Sequence, residues 1–137
     1  YLEQHGSYYG DLPAHDGLWE AAECTSDDIL ARLAIVPLVL EARALDTTPG
    51  IITKLKAAGD DNAASIIEII AQEEIKHVAA GVKWFDHICD CRGINPAKTF
   101  QNLVRQRFKG ILKRPLSIDA RSAAGFPQEY YTPLVES

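Results

Sequence analysis

The longest helical stretch of the chain, residues 62–91, constrains the fold more than any other feature. Asp60 or Asp61 opens this predicted helix and Gly93 ends it. Six residues along it step by 4, 3, 4, 3 and 4 positions, which places them on one helix face: Ile70, Glu74, His77, Gly81, Trp84 and Ile88. Four of the six are apolar or small, so we expect this face to pack against neighbouring helices.

A second long helix is predicted upstream of the first. Thr25 or Ser26 is predicted to cap it, because two aspartates follow in a first turn whose dipole favours negative charge. The helix is predicted to run to about Asp46. Pro37 lies inside it, and a proline removes a backbone donor and clashes with the preceding turn. We therefore expect a kink at Pro37.

The remaining start and stop signals in the sequence are also those of helices, and no strand-like alternation of any length appears. Thr48-Pro49 is predicted to start a short connecting helix that Gly59 ends. Further short helices are predicted over residues 15–23, from Asn95-Pro96 to about Phe108, and near residues 118–124. The sequence therefore predicts an all-α fold with one domain, residues 1–137, in which two long antiparallel helices are joined by shorter ones.

Two polar residues lie in the middle of the apolar face of helix 62–91. An unpaired carboxylate at Glu74 and an imidazole at His77 would be expensive to bury there, or would shift their pKa values. A metal cation compensates such groups directly. Residues at i and i+3 are neighbours on a helix surface, so both side chains can reach one ion. Glu-x-x-His alone is a weak signal, since a solvated glutamate beside a core histidine has the same spacing.

Glu41 strengthens the signal, because it lies in the most apolar stretch of the chain, residues 34–45. It could instead face solvent and pair with Arg43, although positions i and i+2 do not face each other on a helix. We therefore predict a metal site formed by Glu41, Glu74 and His77, in preference to a buried ion pair. Oxygen-rich ligation with one imidazole suits iron or manganese better than zinc.

The composition excludes several functional classes. The formal net charge of −5 over 137 residues argues against general nucleic-acid binding. The longest apolar stretch, residues 33–40, is too short to span a bilayer, and we recognise no secretory signal. Three cysteines without Cys-x-x-Cys spacing favour reduced thiols, and hence a cytoplasmic location. Metal binding by Cys89 and Cys91 is a minor alternative.

Other polar residues are interpreted as structural. Asp16 is predicted to cap a short helix and to leave His15 exposed. His87 lies near the end of its helix, where a histidine interacts well with the helix dipole. Glu73 is rotated by about 100° from the face that carries Glu74 and is interpreted as a flanking acid.

Several stretches resemble a known family. The similarity lies in residues 40–50 (Leu-Glu-Ala-Arg-Ala-Leu-Asp-Thr-Thr-Pro-Gly), in residues 73–78 (Glu-Glu-Ile-Lys-His-Val) with the following Gly81 and Trp84-Phe85, and in residues 10–20. Together these motifs resemble the uncharacterised ferritin-like family labelled domain of unknown function 455. The resemblance covers essentially the whole chain, and the first and third stretches are long and specific.

The resemblance implies a ferritin-like helical bundle with a dinuclear metal centre. Proteins of that superfamily take one Glu from each of two helices and a Glu-x-x-His from each of the other two. By resemblance, Glu41 would bridge two divalent ions of iron or manganese, with zinc as a further option. Glu74 would bridge or chelate, and His77 would cap one ion. The implied reaction class is an oxygen-activating oxidase or hydroxylase with an unidentified small-molecule substrate.

This chain carries only half of that ligand set. No second Glu-x-x-His is found, since the residues three positions before the other histidines, His5, His15 and His87, are Leu2, Leu12 and Trp84. The chain begins at Tyr1 and has no methionine, so we expect either a fragment of a longer protein or a half-bundle completed by another chain. Two copies about a two-fold axis would supply four Glu and two His, and we therefore expect a homodimer that completes the metal site.

Two further functions remain open from the sequence. One is a metal-free helical fragment whose apolar faces serve as an interaction or oligomerisation module, with Glu41, Glu74 and His77 paired among themselves or with water. The other is iron storage, which would need a shell-like assembly that nothing in the sequence indicates.

Overall fold

The computed structural model describes residues 1–135, and these form an all-α helical bundle. Its α-helices are α1 (Gly17–Cys24), α2 (Ile29–Ile35), α3 (Ala42–Ala57), α4 (Asp61–Cys91), α5 (Pro96–Arg107), α6 (Ile118–Ala123) and α7 (Gln128–Tyr131). A π-helical segment, Val36–Glu41, joins α2 to α3, and short 3-10 turns occupy Glu3–His5 and Thr132–Leu134. Within the described range, the one strand-like pairing is an isolated bridge between Leu112 and Val135. The predicted all-α fold class is confirmed.

Helix α4 has the predicted bounds. The Asp60 carboxylate accepts a hydrogen bond from the backbone N–H of Ala63 at 3.0 Å, which satisfies one of the free donors of the first turn. Gly93 follows the last turn with φ +64°, in the left-handed region where glycine carries no steric penalty. Helix α5 also begins as predicted, with the Asn95 side chain capping it and Pro96 in the first turn.

The predicted start of the second long helix is wrong. Asp28 caps α2 by accepting a hydrogen bond from the backbone N–H of Leu30 at 3.0 Å. The Thr25 hydroxyl instead donates to the Ala21 carbonyl at 2.6 Å, at the end of α1. Residues 25–28 all have side chains that can cap a helix, but only Asp28 directly precedes the free N–H groups of the first turn of α2.

The predicted break at Thr48-Pro49 is also wrong, because α3 continues through Pro49 to Ala57. The Thr48 hydroxyl donates to the Ala44 carbonyl at 2.6 Å, as it does inside a helix and not at a cap. Leu45 and Thr48 are buried, so tertiary packing favours a continuous helix over the local preference of proline to begin one.

The irregularity expected at Pro37 takes the form of the π-helical segment. The N–H of Ala42 donates to the carbonyl of Pro37, five residues back, so the chain contains one wide turn here. Proline at an early position of this segment has no N–H to contribute to the regular ladder. Glu41 is the last residue of the wide turn, and the segment therefore sets the direction of its side chain.

The buried face of α4 is displaced by one residue from the predicted face. The residues that enter the core are Val78, Val82, Phe85 and Cys89, which repeat the 4-3-4 spacing one position later. Of the predicted face, Gly81 is buried and Glu74 and Ile88 are half-buried, whereas Ile70, His77 and Trp84 are exposed. Within residues 1–135, the predicted face is therefore only partly covered. One residue corresponds to a rotation of about 100°, and two neighbouring apolar faces have the same period.

The C-terminal elements close the core against α3, α4 and α5. Edge-to-face aromatic contacts connect Phe85, Phe100, Phe126 and Tyr130, with ring centroids 5.5–6.3 Å apart. No helix in residues 1–135 is both long enough and apolar enough to cross a membrane.

Candidate metal centre

Glu41, Glu74 and His77 converge between the end of the π-helical segment and α4. Each residue offers one ligand atom, and these three atoms all lie within 4.8 Å of one another. The Glu74 Oε2 atom lies 3.5 Å from the His77 Nδ1 atom, one helical turn away. The structure thus brings together the three residues that the sequence singled out.

A close approach between two helices holds the site together. Gly81 lies in α4, one turn after His77, and a Cβ added to it would stand 2.7 Å from the Cβ atom of Pro37. Only glycine admits the π-helical segment at this distance. Since Glu41 follows Pro37 by one turn, the contact draws the Glu41 carboxylate towards Glu74 and His77.

The carboxylate of Glu74 is only 20% exposed, and its Oε2 atom is buried without a hydrogen-bond partner in residues 1–135. The 3.5 Å separation from His77 Nδ1 falls within ion-pairing range but is too long for a good hydrogen bond. Protonation of His77 would therefore give Glu74 only a weak partner, because that imidazole is 57% exposed and screened by water.

Glu41 is half-buried beside Glu74. Burial raises the pKa of the Glu41 carboxyl, the negative charge of Glu74 raises it further, and His77 opposes the shift. Two neighbouring carboxylates that are only partly solvated repel each other, and a positive charge between them would relieve this repulsion. A divalent cation bound by two carboxylate oxygens and one imidazole nitrogen meets that need, so the donor set fits a metal ion.

Comparison with known proteins places the chain among its relatives. The family described as "Protein of unknown function (DUF455)" matches residues 1–132. The chain belongs to the DUF455 family. A relative from Haemophilus influenzae, named "Uncharacterized protein", is 42% identical over 128 residues, which cover 93% of this chain and 44% of the relative. The chain thus spans less than half the length of that relative. No solved structure matches this chain.

In this DUF455 chain, the other residues singled out from the sequence lie outside the cluster. Glu73 is exposed, and Glu68 forms a surface ion pair with Lys56 at 2.7 Å. Cys89 is buried whereas Cys91 is exposed, so the two thiols face different directions. Among the residues that the structure describes, the three-residue cluster is the one group of that size placed to hold a metal ion.

The prediction for Asp16 is wrong. Asp16 precedes α1 but its side chain makes no capping hydrogen bond. The His15 Nδ1 atom accepts a hydrogen bond from the N–H of Gly17 at 3.0 Å instead. An imidazole two residues before a free N–H can replace a carboxylate in this role, although it is not among the preferred caps.

A buried ion pair, which the sequence analysis did not predict, fixes the C-terminal part of the DUF455 chain to α3. Asp46 accepts hydrogen bonds from the Arg121 guanidinium at 2.9 and 2.7 Å, and from the N–H of Ser117 at 2.9 Å. Arg121 is only 2% exposed and lies over the Tyr131 ring at 4.5 Å. Asp46 has the same signal in the sequence as Glu41, because each is an acidic residue in or next to an apolar stretch.

Proposed function

We propose that this chain contributes Glu41, Glu74 and His77 to a dinuclear iron or manganese centre. The observation that supports the proposal is the convergence of two carboxylates and an imidazole within 4.8 Å, with one buried carboxylate oxygen that has no hydrogen-bond partner. An uncompensated buried charge is costly, and a divalent ion compensates it.

The alternative of simple ion pairing fits the geometry less well. A protonated His77 carries one positive charge and faces two carboxylates, so one negative charge remains. Glu41 also has the buried Leu38 and Leu45 one turn on either side, which limits the water that could solvate it. Two oxygen donors and one nitrogen donor are the mixture that iron and manganese accept.

The ferritin-like resemblance adds the reaction class. Iron or manganese supplies redox chemistry with dioxygen, which the side chains of the cluster do not provide themselves. In this proposal the chain is part of an oxidase or hydroxylase for a small-molecule substrate. The carboxylates of Glu41 and Glu74 neutralise positive charge of the ions. The apolar residues beside Glu41 exclude water from one side of the centre.

A second candidate function is an interaction or oligomerisation module. The observation that favours it is the exposure of Ile70 and Trp84, which lie on α4 on either side of His77. The two candidates differ in metal content, since only the first requires a bound ion.

Metal titration tests the first candidate. Purified chain is stripped with a chelator and titrated anaerobically with Fe(II) and separately with Mn(II), followed by calorimetry. We expect Glu74→Gln and His77→Ala each to weaken binding by at least about tenfold, the effect seen even for groups that only orient metal ligands. Glu68→Gln is the matched control, because Glu68 lies on the same helix but pairs with Lys56. Equal affinity in all four proteins would contradict the proposal.

A further inference from the structure

One face of α4 is apolar and open to solvent. We call it the open stripe and define it by Ile66, Ile70, His77 and Trp84. Ile70 and Trp84 are 42% and 54% exposed, and Ile66 is exposed as well. Successive steps of 4, 7 and 7 residues keep these side chains on one side of the helix. Glu74 is half-buried and lies at the border between the open stripe and the core face.

The open stripe is more than scattered surface apolar residues. Single exposed apolar side chains are common and need no explanation. Here a row of isoleucine and tryptophan extends from residue 66 to residue 84, about 27 Å of helix at 1.5 Å per residue. The adjacent face of α4, rotated by about 100°, already packs against the chain's own core through Val78 and Phe85. A helix with two apolar faces is suited to lie between two neighbours, and this chain provides one of them.

We propose that a second copy of this chain covers the open stripe, with the two α4 helices antiparallel about a two-fold axis at the level of His77. The spacing supports a self-complementary contact, because Ile70 precedes His77 by seven residues and Trp84 follows it by seven. A two-fold axis at His77 therefore sets Ile70 of one copy against Trp84 of the other, twice in the dimer. Such an isologous contact closes on itself and leaves no unpaired stripe.

Charge balance supports the same partner. This part of the inference rests on the proposed metal centre. One copy supplies two carboxylates, Glu41 and Glu74, and the ligand atoms of both lie at the level of His77. The second copy brings an identical set to that level. Four carboxylates then balance two divalent cations, whereas one copy alone balances a single ion and leaves its outer side to water.

The oligomeric state of the 137-residue chain tests the partner. We expect sedimentation equilibrium to show a dimer in the presence of Mn(II). Trp84→Asp should raise the dissociation constant by at least about thirtyfold, the effect of losing an interface hot spot worth 2 kcal/mol. Trp19→Asp is the matched control, because Trp19 is 68% exposed on α1 and lies outside the open stripe. A monomer at all concentrations would overturn the proposal and would assign the stripe to a different polypeptide segment.

Cysteine pairing tests the direction and level of the contact. In a background in which the exposed Cys24 and Cys91 are replaced by serine, Ile70→Cys combined with Trp84→Cys should form interchain disulfides on mild oxidation. Ile70→Cys alone should form none, because in the antiparallel dimer the two copies of this position lie about 21 Å apart along the axis. A disulfide needs Cα atoms within about 7 Å. Crosslinking by the single variant would indicate parallel helices and overturn the proposal.

The two proposals can fail separately. A dimer with the predicted crosslink that binds no metal would refute the metal centre and keep the partner. A monomer that binds metal through Glu74 and His77 would refute the partner and keep the metal centre.

Discussion

At the scale of single residues, the acidic groups of this chain fall into two contrasting environments. Asp46 has a complete set of partners, with the Arg121 guanidinium and a backbone N–H around its carboxylate. Glu41 and Glu74 have each other and one partly exposed imidazole. The sequence locates Glu41 and Asp46 by the same signal, a carboxylate at an apolar stretch. It does not show which of them has a partner, because the partner of Asp46 lies 75 residues away.

The raised pKa of Glu41 has a consequence for stability. Since the folded-state pKa lies above the ordinary value, ionisation of Glu41 at neutral pH destabilises the metal-free fold. We expect Glu41→Gln to raise the melting temperature of the metal-free chain at pH 7. The difference should shrink as the pH falls and vanish below the ordinary carboxyl pKa of about 4.3, where Glu41 is protonated in both states. Thermal unfolding followed by circular dichroism in chelator measures this.

Glu73→Gln is the control for that measurement, because Glu73 is adjacent in sequence but exposed. A lower melting temperature for Glu41→Gln than for the parent at pH 7 would contradict the prediction. With metal present the order should reverse, since the variant loses a charged ligand.

Arg121→Ala should lower the free energy of unfolding far more than Arg107→Ala, which removes a surface arginine. Arg121→Ala leaves the buried Asp46 carboxylate with the Ser117 N–H and the partly exposed Arg43 guanidinium at 3.6 Å, and we expect the free energy of unfolding to fall by about 3 kcal/mol. Arg107→Ala breaks an ion pair with Asp27 in which both side chains are exposed, and should leave the stability nearly unchanged. Urea unfolding of the two variants gives the comparison. Similar midpoints would show that the buried pair contributes little.

At the scale of elements, the helix bounds were more predictable than the helix faces. Asp60 and Gly93 gave the bounds of α4, because capping depends on local chemistry. The core face was predicted one residue early, because α4 has apolar residues on two adjacent faces and the 4-3 spacing is identical on both. The π-helical segment was predicted only as a disturbance at Pro37, since its extra residue leaves the local composition unchanged.

The contact between α4 and the π-helical segment gives a matched pair of glycine variants. Gly81→Ala places a methyl group 2.7 Å from the Pro37 Cβ atom, and we expect overpacking to cost about 1–3 kcal/mol, more than the gain in helix propensity. Gly50→Ala, in α3, meets nothing within 4 Å and should stabilise the fold by about 0.5–1 kcal/mol.

Metal affinity should separate these two variants as well. Gly81→Ala forces Pro37 away from α4 and displaces Glu41 with it, so we expect weaker Mn(II) binding, whereas Gly50→Ala should bind like the parent. Calorimetric titration of both variants is the measurement. Unchanged affinity in Gly81→Ala would show that the close approach does not position Glu41.

At the scale of the whole molecule, the proximity of Glu41, Glu74 and His77 was predictable from the sequence. Two antiparallel helices bring together Glu41 and Glu74, which are 33 positions apart in the sequence, but the predicted connecting helix is part of α3. Exposure of an apolar face of residues 62–91 in a lone chain was expected, and Ile70 and Trp84 are exposed. A sequence shows that a residue is apolar but not which polypeptide covers it. The relative from Haemophilus influenzae is more than twice as long as the matched region, so further chain accompanies this region in that protein.

Assembly should appear in the thermal stability. If the metal-bound state is a dimer, its stability rises with chain concentration, by about 1.4 kcal/mol for each tenfold increase. We expect the melting temperature of the Mn(II)-loaded chain to rise between two concentrations that differ tenfold, and that of Trp84→Asp to stay constant. Scanning calorimetry measures both. A concentration-independent transition in the parent chain would argue against a dimeric metal-bound state.

The position of Glu74 at the border between a covered and an uncovered face of α4 determines how an ion held there would come and go. In a separated chain the exposed imidazole of His77 would leave one side of a bound ion to solvent, and exchange with the medium would be fast. Once that side is covered, release must wait until the helices part. Residence time of the ion would then follow the lifetime of the assembly and not the intrinsic lability of the ligands.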